Sequence, residues 1–208
     1  IIGYANFDTN KKSIFEYEDI GWEPLELFVK NINPYLVEGK DNILLKRKNP
    51  ICSSLQMSYG SMPNDGGYLL LNEEEKVELT SKEPWSARFI RKFVMWEELI
   101  NNIPRYCLWL VDIRPDELNS LKEIKHRVEE VYKNRISSNR EATKKLALFP
   151  ARFGEVRQPI TNYIALPRVS SENRVYIPIT ILNKDIVAGD KVYTIQSSDL
   201  YVFGVLLS

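Results

Sequence analysis

The sequence is poor in the residues that most often carry enzymatic chemistry. Its 208 residues hold one histidine, His126, and two cysteines, Cys52 and Cys107. The cysteines lie far apart, with no Cys-x-x-Cys spacing and no histidine nearby, so a disulfide framework and a zinc site are both disfavoured. We expect two buried, reduced thiols in a cytoplasmic protein. Since His126 stands between charged neighbours, we expect it at the surface, and no Ser-His-Asp triad can be argued.

Glycine-rich cofactor motifs are missing as well. The 9 glycines form no P-loop, no Gly-x-Gly-x-x-Gly after a predicted strand and no Gly-x-Ser-x-Gly elbow. Apolar runs fall short of the roughly 20 residues that a membrane span needs, and no signal-peptide pattern occurs. These absences disfavour a nucleotide-binding enzyme, a serine hydrolase and a membrane protein.

An excess of either charge sign is also lacking, because 28 basic residues balance 28 acidic ones. The charges are nevertheless unevenly placed. Residues 122–157 carry 10 bases against 5 acids, whereas residues 1–46 carry 5 bases against 8 acids. A neutral protein can still present a basic face to nucleic acid. An ordinary solvated helix surface would give the same local pattern.

Hydrophobic periodicity predicts a chain of short strands and helices. Apolar residues recur at helical spacing from Leu118 to Val131, which indicates an amphipathic helix. The turn formers Asn64–Gly67 predict a tight loop, and 188–190 predicts a hairpin turn. The predicted helices are 73–82, 85–93, 116–135 and 139–147. The predicted strands are 1–7, 12–17, 25–31, 68–71, 106–111, 163–166, 175–182, 185–188, 191–195 and 200–206.

Two short patterns come close to catalytic motifs. Asn33-Pro34-Tyr35 resembles the Asn-Pro-Pro-Tyr loop of DNA amino-methyltransferases but lacks the second proline, so we expect a structural turn. Asp116, Glu123 and Lys125 match the PD…ExK pattern of metal-dependent nucleases. On one continuous helix Asp116 and Glu123 would be about 10 Å apart along the axis, too far to share a metal. A nuclease is therefore a minor alternative.

The stretch 157–178, RQPITNYIALPRVSSENRVYIP, favours contact with DNA. Arginine pairs well with guanine edges and glutamine or asparagine with adenine edges, while arginine, lysine and serine also reach phosphates. The candidates for base edges are Arg157, Gln158, Asn173 and Arg174. The candidates for phosphate contact are Arg140, Lys144, Lys145, Arg152, Arg168 and Ser171. The alternative is that Ser170–Asn173 is only a turn and Arg174 only a surface residue.

Five segments in order along the chain closely resemble the target recognition domain of MmeI-like enzymes, which are type IIL restriction-modification proteins and related adenine-specific DNA methyltransferases. They are NINPYL (31–36), SYGSMPNDGGYLLL (58–71), INNIPRYCLWL (100–110), FGEVRQPITNYIALPRVSSENRVYIPI (153–179) and LYVFGVL (200–206). The sequence departs from the family at Arg114, where a serine is frequent, and after Ile179.

The resemblance implies a domain that selects a short duplex sequence for a methyltransferase domain of the same polypeptide. It implies that the parent methylates adenine N6 with S-adenosylmethionine and can carry a fused Mg²⁺-dependent endonuclease. This chain, which starts without methionine, is then a fragment with no catalytic residue, cofactor or metal of its own. We expect residues 1–45 to be the tail of the methyltransferase domain or entry strands, and residues 46–208 to be the recognition domain.

The expected fold is α+β, a twisted and mainly antiparallel sheet with helices packed at its side. The expected partners are double-stranded DNA and the methyltransferase domain, with no membrane. The alternative from another class is a protein-interaction or scaffold domain that makes no DNA contact.

Overall fold

The computed structural model of the protein describes residues 7–19, 21–40, 45–47, 55–171 and 173–207. The chain divides into two compact units, Ile1–Ser53 and Ser54–Ser208. The domain boundary predicted at residues 45 and 46 stays a prediction. Cys52 and most of the strand predicted over 1–7 lie outside the described residues. None of the helices in the described ranges combines the length and the hydropathy that a membrane span requires.

The first unit contains a two-stranded antiparallel hairpin of β1 (Lys12–Glu16) and β2 (Leu25–Val29). Both strands were predicted, and both are confirmed. After β2 the chain turns at Asn33, whose side-chain Oδ1 accepts a 2.9 Å hydrogen bond from the backbone N–H of Tyr35. The backbone carbonyl of Asn33 accepts a second bond from Leu36 at 2.9 Å. The near-miss to a methyltransferase loop is therefore a structural turn, as predicted.

The second unit holds six helices and eight strands within its described residues. The strands are β3 (Met57–Tyr59), β4 (Leu70–Leu71), β5 (Ile90–Val94), β6 (Tyr106–Leu108), β7 (Tyr163–Pro167), β8 (Thr180–Leu182), β9 (Val187–Ala188) and β10 (Val192–Ile195). The helices are α1 (Glu73–Lys82), α2 (Trp96–Asn101), α3 (Pro115–Ser120), α4 (Lys122–Ile136), α5 (Glu141–Leu146) and α6 (Leu200–Leu207), with a 3₁₀ turn over Pro84–Phe89. The predicted α+β class is confirmed.

The strands of this unit form two four-stranded sheets. One has the order β3-β10-β7-β8 and is antiparallel throughout. The other has the order β4-β6-β5-β9, in which only the β5–β9 pair is parallel. Tyr163, Ala165 and Val192 from the first sheet pack with Val94 and Ala188 from the second. The two sheets therefore meet through a shared apolar layer.

Helix α4 packs against the second sheet through the apolar face that the sequence predicts. Ile124, Val128 and Val131 are buried there in one core with Leu69 and Leu108. Because Leu121 adopts an extended backbone, with φ −103° and ψ 90°, the predicted single helix over 116–135 is divided into α3 and α4. The apolar spacing predicted the buried face correctly but gave no sign of the break.

Helix α1 has the bounds that the sequence predicts because its ends carry strong signals. Asn72 accepts a 2.7 Å hydrogen bond from the backbone N–H of Glu75, and the Glu75 carboxylate accepts one from the Asn72 N–H at 3.0 Å. This capping box satisfies two donors that a helix start leaves free. Lys82 stands in the last turn, where the helix dipole favours a cation.

Three sequence-based predictions are wrong. Residues 85–93 were predicted as one helix but form the 3₁₀ turn and then β5. Residues 200–206 were predicted as a strand but lie in α6, because a short apolar run fits either element. The turn at 188–190 is not a hairpin, since β9 pairs with β5 while β10 pairs with β3 and β7.

Several other predicted elements are shorter than their sequence patterns, whereas β7 extends one residue beyond the predicted 163–166. Helix 139–147 is reduced to α5, strand 106–111 to β6 and strand 68–71 to β4. Of the strand predicted over 175–182, only β8 is formed. The residues before β8 belong to a long connection, 168–179, that joins the paired strands β7 and β8. This connection holds four of the ten candidate DNA contacts.

Candidate nucleic-acid interface

The 168–179 loop displays polar side chains from a turn that is fixed by its own hydrogen bonds. The Ser171 hydroxyl accepts from the backbone N–H of Asn173 at 3.3 Å. The Ser171 carbonyl accepts from the N–H of Arg174 at 3.1 Å. Asn173 and Arg174 are exposed. The segment can therefore be a turn and still contact DNA. The turn is formed by the Ser171 hydroxyl and by backbone groups, so the side chains of Asn173 and Arg174 stay exposed.

The loop also exposes apolar side chains. Val175 is 87% exposed and Tyr176 69% exposed, next to Arg174. Among the described residues, the Arg174 guanidinium has no ion pair and no side-chain hydrogen bond. An unpaired cation beside exposed apolar groups is a typical composition for a surface that meets a partner.

The root of the loop carries a cluster of two tyrosines and two arginines, which we call the Tyr59 cluster: Tyr59, Tyr193, Arg157 and Arg168. Tyr59 and Tyr193 are opposite each other across the β3–β10 pair, with ring centroids 5.1 Å apart. The Arg168 guanidinium lies 4.7 Å from the Tyr59 centroid and 5.9 Å from that of Tyr193. Arg157 lies 5.9 Å from the Tyr59 centroid.

Both arginines of the Tyr59 cluster are also held by polar contacts. Arg168 donates to the carbonyl of Asp190 at 3.1 Å. Arg157 forms an ion pair with Glu155, and its backbone N–H donates to the Ser61 hydroxyl at 2.9 Å. The structure thus brings Arg157 and Arg168 to one place, although they were assigned to different kinds of contact by sequence.

Gln158 is oriented quite differently from Arg157. Its amide nitrogen donates to the carbonyls of Lys184 at 2.9 Å and Ile186 at 2.7 Å. Its amide oxygen accepts from the N–H of Ala188 at 3.3 Å. These three bonds attach the 184–188 backbone to the start of the 157–167 segment. A base contact by Gln158 would require it to give up that arrangement.

The remaining phosphate candidates lie just before α5, within α5 and in the turn after it. Arg140, Lys145 and Arg152 are exposed. Lys144 is half-buried and pairs with Glu141 at 2.8 Å. These side chains form a basic surface on an element distinct from the 168–179 loop.

Arg135 is a structural residue that supports the basic surface and that the sequence did not predict. It is 1% exposed, and its guanidinium donates five hydrogen bonds to backbone carbonyls. The acceptors are Asn64 at 2.8 Å, Pro63 at 3.0 Å, Leu146 at 3.0 Å, Phe149 at 2.9 Å and Arg152 at 2.7 Å. Arg135 therefore joins α5 and the 149–152 turn to the 63–64 backbone. One signal was available, because Arg135 follows Val131 by four residues on the apolar stripe of α4.

Burial shifts the pKa of several groups in this unit. It lowers the pKa of the Arg135 guanidinium, and the nearby Asp65 carboxylate opposes that shift. Burial also raises the pKa of the Cys107 thiol well above its ordinary range, which makes it an inert thiol rather than a nucleophile. Since an arginine stays charged at neutral pH, Arg135 is a permanently buried cation.

The segment 59–65 connects the Tyr59 cluster, the two sheets and the carbonyl groups that accept from Arg135. The backbone of Gly60 donates to Val192 and that of Ser61 to Ala188, at 2.9 and 2.7 Å. A Cβ on Gly60 would lie 2.3 Å from the Gly189 carbonyl oxygen, so only glycine fits there. Further along, the Asp65 carboxylate accepts from the N–H groups of Gly67 and Leu69 at 3.1 and 2.5 Å.

The PD…ExK residues have separate partners. Asp116 pairs with Arg114 at 3.3 Å, and the Lys125 ammonium donates to Asn119 at 3.0 Å. Over the described part of the chain, no group of three or more His, Cys, Asp or Glu side chains could hold a metal ion. His126 is exposed, as predicted.

Comparisons with known proteins agree with one another. The family model of the MmeI target recognition domain matches residues 38–208. DNA methyltransferase A of Bacillus subtilis (strain 168) is 34% identical over 209 residues, which cover 100% of this chain and 23% of that protein. A solved structure of the type IIL restriction-modification enzyme MmeI in complex with DNA has a TM-score of 0.89 and 39% identity, and the match covers 97% of this chain and 27% of MmeI. The chain thus spans about a quarter of each relative.

Proposed function

This chain belongs to the MmeI target recognition domain family, and we propose that it recognises a short sequence in double-stranded DNA. The observation that carries the proposal is the display of Asn173 and Arg174 on a turn held by Ser171. Both side chains are exposed and have planar donor groups that suit base edges. The structure of MmeI with DNA supports the same role.

Base edges and phosphates would be contacted by different side chains. We assign base contact to Arg174 and Asn173. Arg157, a base-edge candidate by sequence, lies with Arg168 at the Tyr59 ring, so we assign it to phosphate contact, for which it would exchange its Glu155 ion pair. Phosphate contact is assigned to Arg168 and Ser171 at the loop, and to Arg140, Lys144, Lys145 and Arg152 on the α5 surface. Gln158, a base-edge candidate by sequence, is better suited to holding the 184–188 backbone.

The longer protein would supply the chemistry. Since one relative is a DNA methyltransferase and another a restriction-modification enzyme, we infer a parent that methylates adenine N6 with S-adenosylmethionine. A fused endonuclease using Mg²⁺ belongs to the same hypothesis. Within it, residues 1–45 are the tail of the methyltransferase domain or entry strands of the recognition domain, residues 46–208 form the recognition domain, and the protein works in the cytoplasm. This chain would bind DNA and present the target adenine, which must leave the base stack for methylation.

A protein-interaction role is the second candidate, and one feature of the first unit favours it. The β1–β2 hairpin exposes Phe28 by 76% and Phe15 by 54%, and Trp22 in its connection by 62%. Exposed aromatic side chains are typical of protein interfaces. This surface fits docking to another part of the parent and is compatible with DNA recognition by the second unit.

Duplex binding at graded salt tests the proposed function. Binding that depends on phosphate contacts weakens by orders of magnitude between roughly 50 and 200 mM salt. A labelled duplex pool of random sequence, incubated with the 208-residue chain, should bind at low salt and enrich a common short sequence. Absence of any duplex binding at low salt would exclude DNA recognition by this chain and favour the interaction role.

A further inference from the structure

Tyr59 differs from its neighbours in the 59–65 segment. Gly60 and Ser61 use their backbones to join the two sheets, and Pro63 and Asn64 accept from Arg135. Tyr59 instead sits on the edge strand of its sheet with its side chain 42% exposed. Its ring therefore serves something other than the core.

The ring of Tyr59 meets two cations. Arg168 lies over it at 4.7 Å and Arg157 at 5.9 Å, and Tyr193 packs beside it at 5.1 Å. Strand alternation explains the arrangement, because Arg168 follows Leu166 by two residues and Leu166 pairs with Tyr193. The two tyrosines and Arg168 consequently share one face of the sheet.

The charge of the Tyr59 cluster is only partly balanced. Glu155 pairs with Arg157. Among the residues that the structure describes, no carboxylate lies within ion-pair distance of Arg168. Counted over the described residues alone, the cluster has one more positive than negative charge at the root of the 168–179 loop.

A guanidinium that lies near an aromatic ring can still bind an anion. The attraction to the ring does not consume the N–H donors, which lie in the plane of the guanidinium. Two guanidinium groups near one ring therefore bring several planar donors to one place, and such donors suit phosphate oxygens. Because the ring restricts both flexible side chains beforehand, less conformational freedom is lost when the anion binds.

We infer that Tyr59 is a positioning residue whose ring, with Tyr193 beside it, holds Arg157 and Arg168 as a binding site for a phosphodiester group of the duplex. Glu155 is the counter-ion that the phosphate replaces at Arg157. The inference rests on the proposed function. It adds a phosphodiester-binding site and a positioning residue, Tyr59, that does not itself contact DNA.

The test measures binding of a labelled random-sequence duplex to the 208-residue chain by fluorescence anisotropy over a salt series. Tyr59→Leu is expected to weaken binding about five- to tenfold at low salt and to reduce the salt slope by about 1, the change for one lost phosphate contact. Tyr59→Phe keeps the ring and should bind like the wild type. Tyr132→Leu on α4, where the side chain is 47% exposed, is the matched control and should change neither quantity.

The outcomes separate this inference from the proposed function. A wild-type chain that binds no duplex overturns both. A wild-type chain that binds, with Tyr59→Leu equal to it in affinity and salt slope, overturns the positioning role alone. A loss in Tyr59→Leu without a change in salt slope also overturns it, because altered folding would reduce the bound fraction at every salt concentration equally.

Two further variants keep the test decisive if Tyr59→Leu does not fold. Arg168→Lys keeps the charge but loses the planar group, and should weaken binding a few-fold. Glu155→Gln removes the competing carboxylate and should strengthen binding a few-fold. Wild-type affinity in both variants would overturn the inference.

Discussion

Arg135 donates a 2.7 Å hydrogen bond from its buried guanidinium to the backbone carbonyl of Arg152, whose own side chain is exposed. One arginine thus fixes the main chain from which another reaches solvent. The same guanidinium reaches Leu146 at the end of α5 and Pro63 next to the glycine-rich turn. The basic surface is held in place by a cation that cannot itself contact a ligand.

Replacement of Arg135 should destabilise the fold. Arg135→Met leaves five carbonyls without their donor, and a buried network broken on one side costs about 3–5 kcal/mol. Urea unfolding followed by circular dichroism measures the loss. Arg140→Met, at an exposed position, is the control and should change the free energy of unfolding by less than about 0.5 kcal/mol. Equal stability of the two variants would contradict the role of Arg135.

Replacement of Arg174 should change sequence preference. If its guanidinium reads a base, Arg174→Ala costs about 1–3 kcal/mol on the preferred sequence and relaxes selection at one position. Selection from a random duplex pool, followed by sequencing, measures this. Arg140→Ala is the comparison, because loss of a phosphate contact should weaken all sequences alike. A uniform loss for Arg174→Ala would reassign that residue to phosphate contact.

Replacement of Gln158 should act on stability. Gln158→Glu places a carboxylate oxygen against the carbonyls of Lys184 and Ile186, which now accept from the amide nitrogen. We expect a loss of about 1–3 kcal/mol in the free energy of unfolding. Gln196→Glu, at an exposed position, provides the same charge change without the contacts. A stable Gln158→Glu variant with altered base preference would restore Gln158 as a reader of bases.

Acid should weaken the packing of α1 against β6. A hydrogen bond from the Tyr106 hydroxyl, followed by one from the Lys76 ammonium, holds the pKa of Glu73 below its ordinary value of 4.5. A lowered folded-state pKa stabilises the fold above 4.5, and this contribution is lost as the pH falls through the folded-state value. Thermal unfolding between about pH 6 and pH 3 should show a shallower decline in Glu73→Gln than in the wild type. Glu74→Gln, a neighbour with no ion pair among the described residues, should follow the wild type.

Local patterns were sufficient wherever one element carried its own signals. The charged run 73–82 predicted α1, and the spacing of Ile124, Val128 and Val131 predicted which face of α4 is buried. The alternating and apolar runs likewise predicted β7 and β10. The candidate DNA contacts on the 168–179 loop were also found from residue type, although their assignment to bases or phosphates is still a proposal.

Local patterns gave the wrong element where packing against another part of the chain decides the secondary structure. The run 200–206 is apolar enough for a strand, yet it is helical. Asp199 accepts from the N–H of Tyr201 at 2.8 Å and starts α6, and Phe203 and Leu206 then pack on the outer face of β7 and β10. In the sequence, Ser198 and Asp199 before Leu200 are residue types that favour a helix start.

The sequence by itself determined the family, the α+β class and the loop that carries the exposed polar groups, because long motifs and local spacing suffice for those. The tertiary structure decided that Arg135 is buried, that the Gln158 amide is hydrogen-bonded to the backbone, and that Tyr59 lies near two arginine side chains. Those roles depend on contacts such as Arg135 with Pro63 and Tyr59 with Arg168, which join residues far apart in the chain. Charge and residue type are the same in either role, so only the distances between folded elements distinguish a structural arginine from one that is free to bind.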